Sequence, residues 1–249
     1  MSTAPTAALL LSDVPQKMSV EGYAVPYSAA PDETINFFVS SSVSFEVAFV
    51  RLTDTRDGRR NGTPLIPVIQ YPARFQRTHR SAWRDGCYWK CTFSLQVPSQ
   101  WSSGLYAAEC RWGNGGVEHI LFVVRPPNGR QSDILVVANT NTWNAYNKWG
   151  GYSRYEPYDR DVTATTFERP NPCASSLIEN ENNAGNAWVR TEICVLRWLS
   201  GAHYEVDVIS DRDFSSGTVR LSAYRAIVLS THPEYWTREM LDNLETYLA

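Results

Sequence analysis

The chain has 249 residues, 43% hydrophobic and 20% charged, with nine Trp and thirteen Tyr, enough to close a sizeable core and to exclude intrinsic disorder. A formal net charge of −3 provides no basic face for phosphate-backbone binding, so nucleic acid is not an expected partner. No apolar stretch approaches the roughly 20 residues that span a bilayer, and the N-terminus lacks the charged and apolar regions of a secretory signal, so the expectation is a cytoplasmic chain without a membrane partner.

Residues 1–18 read as a tail. From 19 to 126, short β-prone runs (TINFFVS, SFEVAFVRL, YWKCTFSLQV, LYAAECRW and HILFVVR) are separated by Pro, Gly, Asp and Ser. Such spacing describes an antiparallel β-sandwich, here expected to be Ig-like. SFEVAFVRL alternates Phe45, Val47 and Phe49 with Ser44, Glu46 and Ala48, as a half-buried strand should. TRDGRRNG reads as a loop. The five cysteines, 87, 91, 110, 173 and 194, form no C-x-x-C framework and read as reduced thiols. Cys87 and Cys91 are close in sequence, but thiolate metal sites ordinarily have four ligands, so burial as small apolar groups is the preferred reading.

RPPNGRQS, residues 125–132, marks a boundary by its prolines and glycine. Beyond it, over 133–249, the pattern changes. DILVVA, YEVDVIS and RAIVLS are continuous apolar runs, and AWVRTEICVLRWLSG carries apolar residues at helical spacing. The alternation predicts a three-stranded parallel sheet with helical crossovers, an α/β unit after the β-sandwich. TREMLDNLETYLA predicts a last helix with Thr237 as N-cap, Glu239 in the first turn, and Met240, Leu241, Leu244 and Leu248 along one side. A parallel sheet ending there reads as C-terminally incomplete. Residues 156–186 are polar, proline-containing and aperiodic, which suits either a lid over the sheet edge or a surface excursion.

Open α/β sheets act on ligands at the carboxyl ends of their strands. Two unusual clusters lie there: NTNTWNAYNKWGGYSRY after DILVVA, and STHPEYW after RAIVL. They contain Tyr146, Tyr155 and Glu234. Two phenolates and a carboxylate would balance a trivalent hard cation such as ferric iron. A phenol, with a pKa of about 10 in water, ligates as phenolate only beside such a charge. His232 can exchange protons, and on an extended segment it shares a side with Glu234. Asn144 and Asn147 are candidates for hydrogen bonding to substrate or ligand. Residue types alone leave other readings open: packing tyrosines, a turn histidine, and an acid at a helix N-terminus.

The ordered set EGYAVPYSAAPDETINFFVS, DGCYWKCTFSLQVPSQWSSGLYAAE, FVVRP, NTWNAYNKWGGYSRY, YEVDVISD and STHPEYWTREM resembles the large (β) subunit family of N,N-dimethylformamidase, in its C-terminal region, from about residue 19 to 249. The resemblance implies a β-sandwich joined to an α/β layer like that of glutamine amidotransferases. It also implies a mononuclear ferric iron held by two tyrosines and a glutamate, and hydrolysis of a small amide to amine and carboxylate. Motif by motif, the glutamate falls on Glu234, its companion histidine on His232 and one tyrosine on Tyr155. The other tyrosine falls on Tyr146, with Tyr152 as the nearest competitor. A small partner subunit or a homo-oligomer is implied as well. The competing reading is a non-catalytic module in which Trp143, Trp149 and Tyr152 recognise a glycan or a protein. A thiol amidotransferase fits poorly, because no cysteine follows the last strand.

Overall fold

The computed structural model describes residues 19–54, 64–113, 115–127, 132–157, 162–176 and 187–249. The tail at 1–18, the loop at 55–63 and parts of the 125–132 and 156–186 segments lie outside them.

The first half forms two antiparallel-dominated sheets. One is three-stranded, in the order β1 (Val20–Val25), β3 (Thr34–Ser41), β6 (Phe93–Gln96). The other joins β2 (Ser28–Ala29), β8 (Gly116–Val124), β7 (Gly104–Trp112), β4 (Phe45–Arg51) and β5 (Ile69–Tyr71), with only the short β2 running parallel to its neighbour. The inner faces meet in an aromatic core: Phe37 stacks on Phe93 at 4.9 Å and meets Phe49 and Phe122 edge-on. Each ring fully buried there stabilises the fold by roughly 1.5–3 kcal/mol. A single helical turn, α1 (Ala82–Asp85), precedes the predicted run YWKCTFSLQV, which becomes a strand only from Phe93 and opens with Tyr88 at a positive φ of 52°.

β7 explains how the halves join. Its residues alternate between two buried faces: Tyr106, Ala108 and Cys110 enter the aromatic core, while Leu105 and Ala107 enter a second core. That second core includes Val136 and Ala138 of β9 (Ile134–Ala138), Val208 of β10 (Val206–Ser210), and Val189, Ile193, Leu196 and Leu199 of α3 (Ala187–Gly201). Glu109 and His119, cross-strand partners on the same face of β7 and β8, are buried there too. His119 Nε2 lies 3.3 Å from Glu109, and its Nδ1 lies 2.5 Å from the Ser176 hydroxyl, so a satisfied polar network fixes the end of the 162–176 segment.

The predicted parallel sheet is present in the order β10, β9, β11 (Ala226–Leu229), and α3 spans the predicted AWVRTEICVLRWLSG. The protein is thus mixed α and β with several sheets. On the far side, Leu135, Val137 and Ile209 pack against Phe214 of α4 (Asp211–Ser216) and Met240 of α5 (Arg238–Leu248). Thr237 caps α5 by accepting from the Met240 N–H. Of the four apolar residues predicted along one side, Met240 is buried and Leu244 packs beside it. Leu241 and Leu248, in contrast, are exposed, because the core touches only a narrow stripe of this helix. Among the described residues, no helix is long and apolar enough to cross a membrane, and all five cysteines are free thiols.

Candidate functional site

β9 ends at Ala138 and the chain turns at once into α2 (Thr140–Ala145), with Tyr146 as its C-cap. Asn and Thr are poor helix formers, and six residues do not hold a helix unaided. Tertiary bonds supply the difference. Asp211, the first residue of α4, accepts from the Asn141 N–H at 2.7 Å, and the Thr140 hydroxyl accepts from the Asp211 N–H at 3.3 Å. Trp143, 1% exposed, inserts into the second core and donates its indole N–H to Glu192 of α3. Burial first, then the neighbouring Asp211 charge, holds the Glu192 carboxyl well above the usual carboxylate range, while burial raises Asp211 to about 7.

After Tyr146 the chain reverses so that Tyr155 returns beside it. Gly150 and Gly151 make the turn with φ of 79° and 85°, values that side-chain-bearing residues rarely adopt, and Gly150 lies against Trp83. The buried Arg169 guanidinium, 1% exposed, donates to the carbonyls of Asn144, Asn147, Trp149, Tyr152 and Thr166. Desolvation lowers its pKa to about 10, which leaves it charged at neutral pH. This arginine is the hub of the loop. The Arg154 N–H closes the return by donating to the Ala145 carbonyl.

The segment after β11 meets this loop from the other side. Asn141 donates to the Tyr235 carbonyl, and Asn139 donates to the Ser230 carbonyl and the Thr231 hydroxyl. The structure brings Tyr146, Tyr155, His232 and Glu234 together. The Tyr146 hydroxyl donates to Glu234 Oε2 at 3.0 Å, and the Tyr155 hydroxyl donates to Glu234 Oε1. The two tyrosine rings stack at 4.4 Å. Tyr235 donates to the Tyr155 oxygen at 3.0 Å, and His232 Nε2 lies 3.7 Å from Glu234 Oε2. His232 and Glu234 keep 41% and 31% of their side-chain surface in contact with solvent, so the cluster is reachable from outside.

Desolvation raises both phenol pKa values, most strongly for Tyr155, where the hydrogen bonds to Glu234, Tyr146 and Tyr235 add to the effect. In the absence of a cation the phenols are therefore protonated and serve the carboxylate as donors. Among the described residues there is no group of three or more His, Cys, Asp or Glu side chains that could hold a metal. The convergent oxygens of Tyr146, Tyr155 and Glu234 form a donor set of a different kind, suited to a hard cation.

The other predicted residues are used differently. Tyr152 stacks on Trp83 at 4.4 Å. Asn147 is 1% exposed; its amide donates to the Pro170 carbonyl and its oxygen accepts from the Trp149 N–H. Asn144 donates to the Thr165 hydroxyl and lines a cavity of about 320 Å³ with Arg154, Thr163, Phe167 and Tyr235, so the 162–167 stretch does border the sheet edge. Trp149 bonds to Glu21 and meets Trp89 edge-on, and Trp143 is buried, so the loop tryptophans are committed to packing. Sequence reasoning missed Arg169, Tyr235 and Thr142. Tyr235 was visible as the neighbour of Glu234, whereas a lone Arg or Thr in a polar stretch carries no periodic signal.

A family model described as N,N-dimethylformamidase beta subunit-like, C-terminal, matches residues 55–249. Two curated relatives, each named N,N-dimethylformamidase beta subunit, come from Paracoccus aminophilus and Alcaligenes sp and are 25% and 26% identical over 202 residues. Each alignment covers 66% of this chain and 26% of the relative, so the chain spans about a quarter of the length of the curated relatives it matches.

Proposed function

The chain belongs to the N,N-dimethylformamidase beta subunit-like, C-terminal family, and from that premise we propose that it holds one ferric ion through Tyr146, Tyr155 and Glu234 and hydrolyses the C–N bond of a small amide. The observation that carries the proposal is the convergence of both phenol oxygens on the two carboxylate oxygens of Glu234. The donor chemistry fits: three hard oxygens with three negative charges after loss of the phenol protons. When bound, the ion would supply Lewis acidity, polarising an amide carbonyl and acidifying water.

The chain's own residues do the rest. Tyr146 and Tyr155 give up protons that burial and Glu234 otherwise hold on them. His232, beside Glu234 and open to solvent, takes a proton at Nε2 from the attacking water and returns it to the departing amine nitrogen. Asn144 and Tyr235 border the adjoining cavity, where the amide substituents would lie. Replacing His232 by Gln tests the assignment: amide hydrolysis should fall while iron binding persists.

The same proposal takes 19–126 as an Ig-like sandwich and 133–249 as an amidotransferase-like layer. Two facing antiparallel-dominated sheets and the parallel sheet β10–β9–β11 support it. It includes a partner subunit, which the designation of both relatives as beta subunits supports.

A further inference from the structure

Thr142, one turn before Tyr146 on α2, was not among the expected site residues, yet it is 1% exposed and meets the Glu234 segment with both halves of its hydroxyl. Its Oγ1 donates to the His232 carbonyl at 3.0 Å and accepts the Glu234 N–H at 3.2 Å. Residues at i and i+4 share one face of a helix. The face that holds the Glu234 backbone through Thr142 therefore also presents Tyr146, whose hydroxyl reaches the Glu234 carboxylate at 3.0 Å.

We propose that Thr142 is the positioning residue of the site: its hydroxyl fixes the 232–234 backbone on α2, so that the Glu234 carboxylate and the His232 ring are held in register with Tyr146 and Tyr155. This rests on the reading of Tyr146, Tyr155 and Glu234 as iron ligands. The segment needs such a fastening. Thr231 has a positive φ of 48° and Pro233 has no N–H to give, so the segment cannot be held by regular strand pairing. The bonds from Asn139 to residues 230 and 231 and from Asn141 to residue 235 fix the two ends of the segment; Thr142 fixes its middle. A valine has the outline of threonine but neither donor nor acceptor, so it removes both bonds of the fastening.

The test is ferric binding by the full chain, titrated from ferric nitrilotriacetate and followed by the phenolate-to-iron absorption band. Loss of a residue that orients a metal ligand typically weakens metal binding by about 10–100-fold. Thr142→Val should weaken iron binding by that factor and shift or broaden the band. Thr142→Ser, which keeps the hydroxyl, should stay within about threefold of wild type. The melting temperature and near-ultraviolet circular dichroism of the iron-free proteins report folding. If the valine variant does not fold, Thr142→Ala removes the same two bonds without its bulk. Wild-type affinity and band position in the Val or Ala variant would overturn the inference, as would a Ser variant as weak as Ala, which would assign the effect to the lost methyl group rather than to the hydroxyl. Wild-type protein that takes up no iron would overturn the ligand reading and this inference together, whereas iron binding unaffected by loss of the hydroxyl would overturn the inference alone.

Discussion

Loading the site with ferric iron should release protons, and the number can be read from the structure. Tyr146 and Tyr155 both donate to Glu234 and both have raised pKa values, so each carries its proton at neutral pH. Ligation as phenolate expels both protons. Apparent affinity should therefore rise by about tenfold per phenol for each pH unit, or about a hundredfold per unit for the pair, across pH 6–8. The sign is fixed by the direction of the shifts: a raised pKa means that the proton competes with the metal, and the competition weakens as pH increases. Proton uptake by buffers of different ionisation enthalpy, measured in titrations against a chelator of known pH dependence, gives the count. Tyr155→Phe has one phenol left to deprotonate, so its residual binding should release about one proton and climb by about tenfold per unit. Binding that releases no protons, or a Tyr155→Phe count equal to that of wild type, would mean that the phenols do not ligate the ion.

Further outcomes are expected elsewhere. His232→Gln should lower amide hydrolysis by about 10²–10⁴-fold, the usual contribution of a general acid–base, with the iron absorption band retained; steady-state kinetics and the spectrum check this together. Arg169→Met removes a charged donor from five carbonyls and should cost about 3 kcal/mol or more, lowering the melting temperature by roughly 6–12 °C for a chain of this size. Arg169→Lys should not restore it, since an ammonium lacks the five-donor fork. Asp211 has its folded pKa raised to about 7, so its ionisation opposes folding: wild type should lose up to about 4 kcal/mol as pH rises from about 4 to 7. Asp211→Asn should make that part of the stability profile shallower, with the raised Glu192 carboxyl supplying the slope that remains, as measured by denaturant unfolding.

The sequence was most legible where one physical signal dominates. DILVVA and YEVDVIS became β9 and β10 because strands buried on both faces must be apolar throughout, and RAIVLS became β11, which flanks β9 and is only partly buried. α3 followed from its helical spacing and α5 from the Thr237 cap. The placement of Tyr146, Tyr155, His232 and Glu234 at one sheet edge followed from strand direction, since both clusters leave the carboxyl ends of parallel neighbours. What stayed hidden depends on tertiary partners. α2 has no helical propensity to detect and forms through Asp211 and Trp143. Asn147 looked like a ligand-binding amide because exposed and buried asparagines are alike in sequence; its two polar ends are used by Pro170 and Trp149. Thr142 and Arg169 act through backbone groups, which leave no trace in residue pattern.

The central claim is tested most directly by the iron content and visible absorption of the purified wild-type chain beside Tyr155→Phe. Near-stoichiometric iron and a phenolate-to-iron band are expected in the wild type, both lost or strongly reduced in the variant. A folded wild-type protein that stays colourless and iron-free after reconstitution would contradict it.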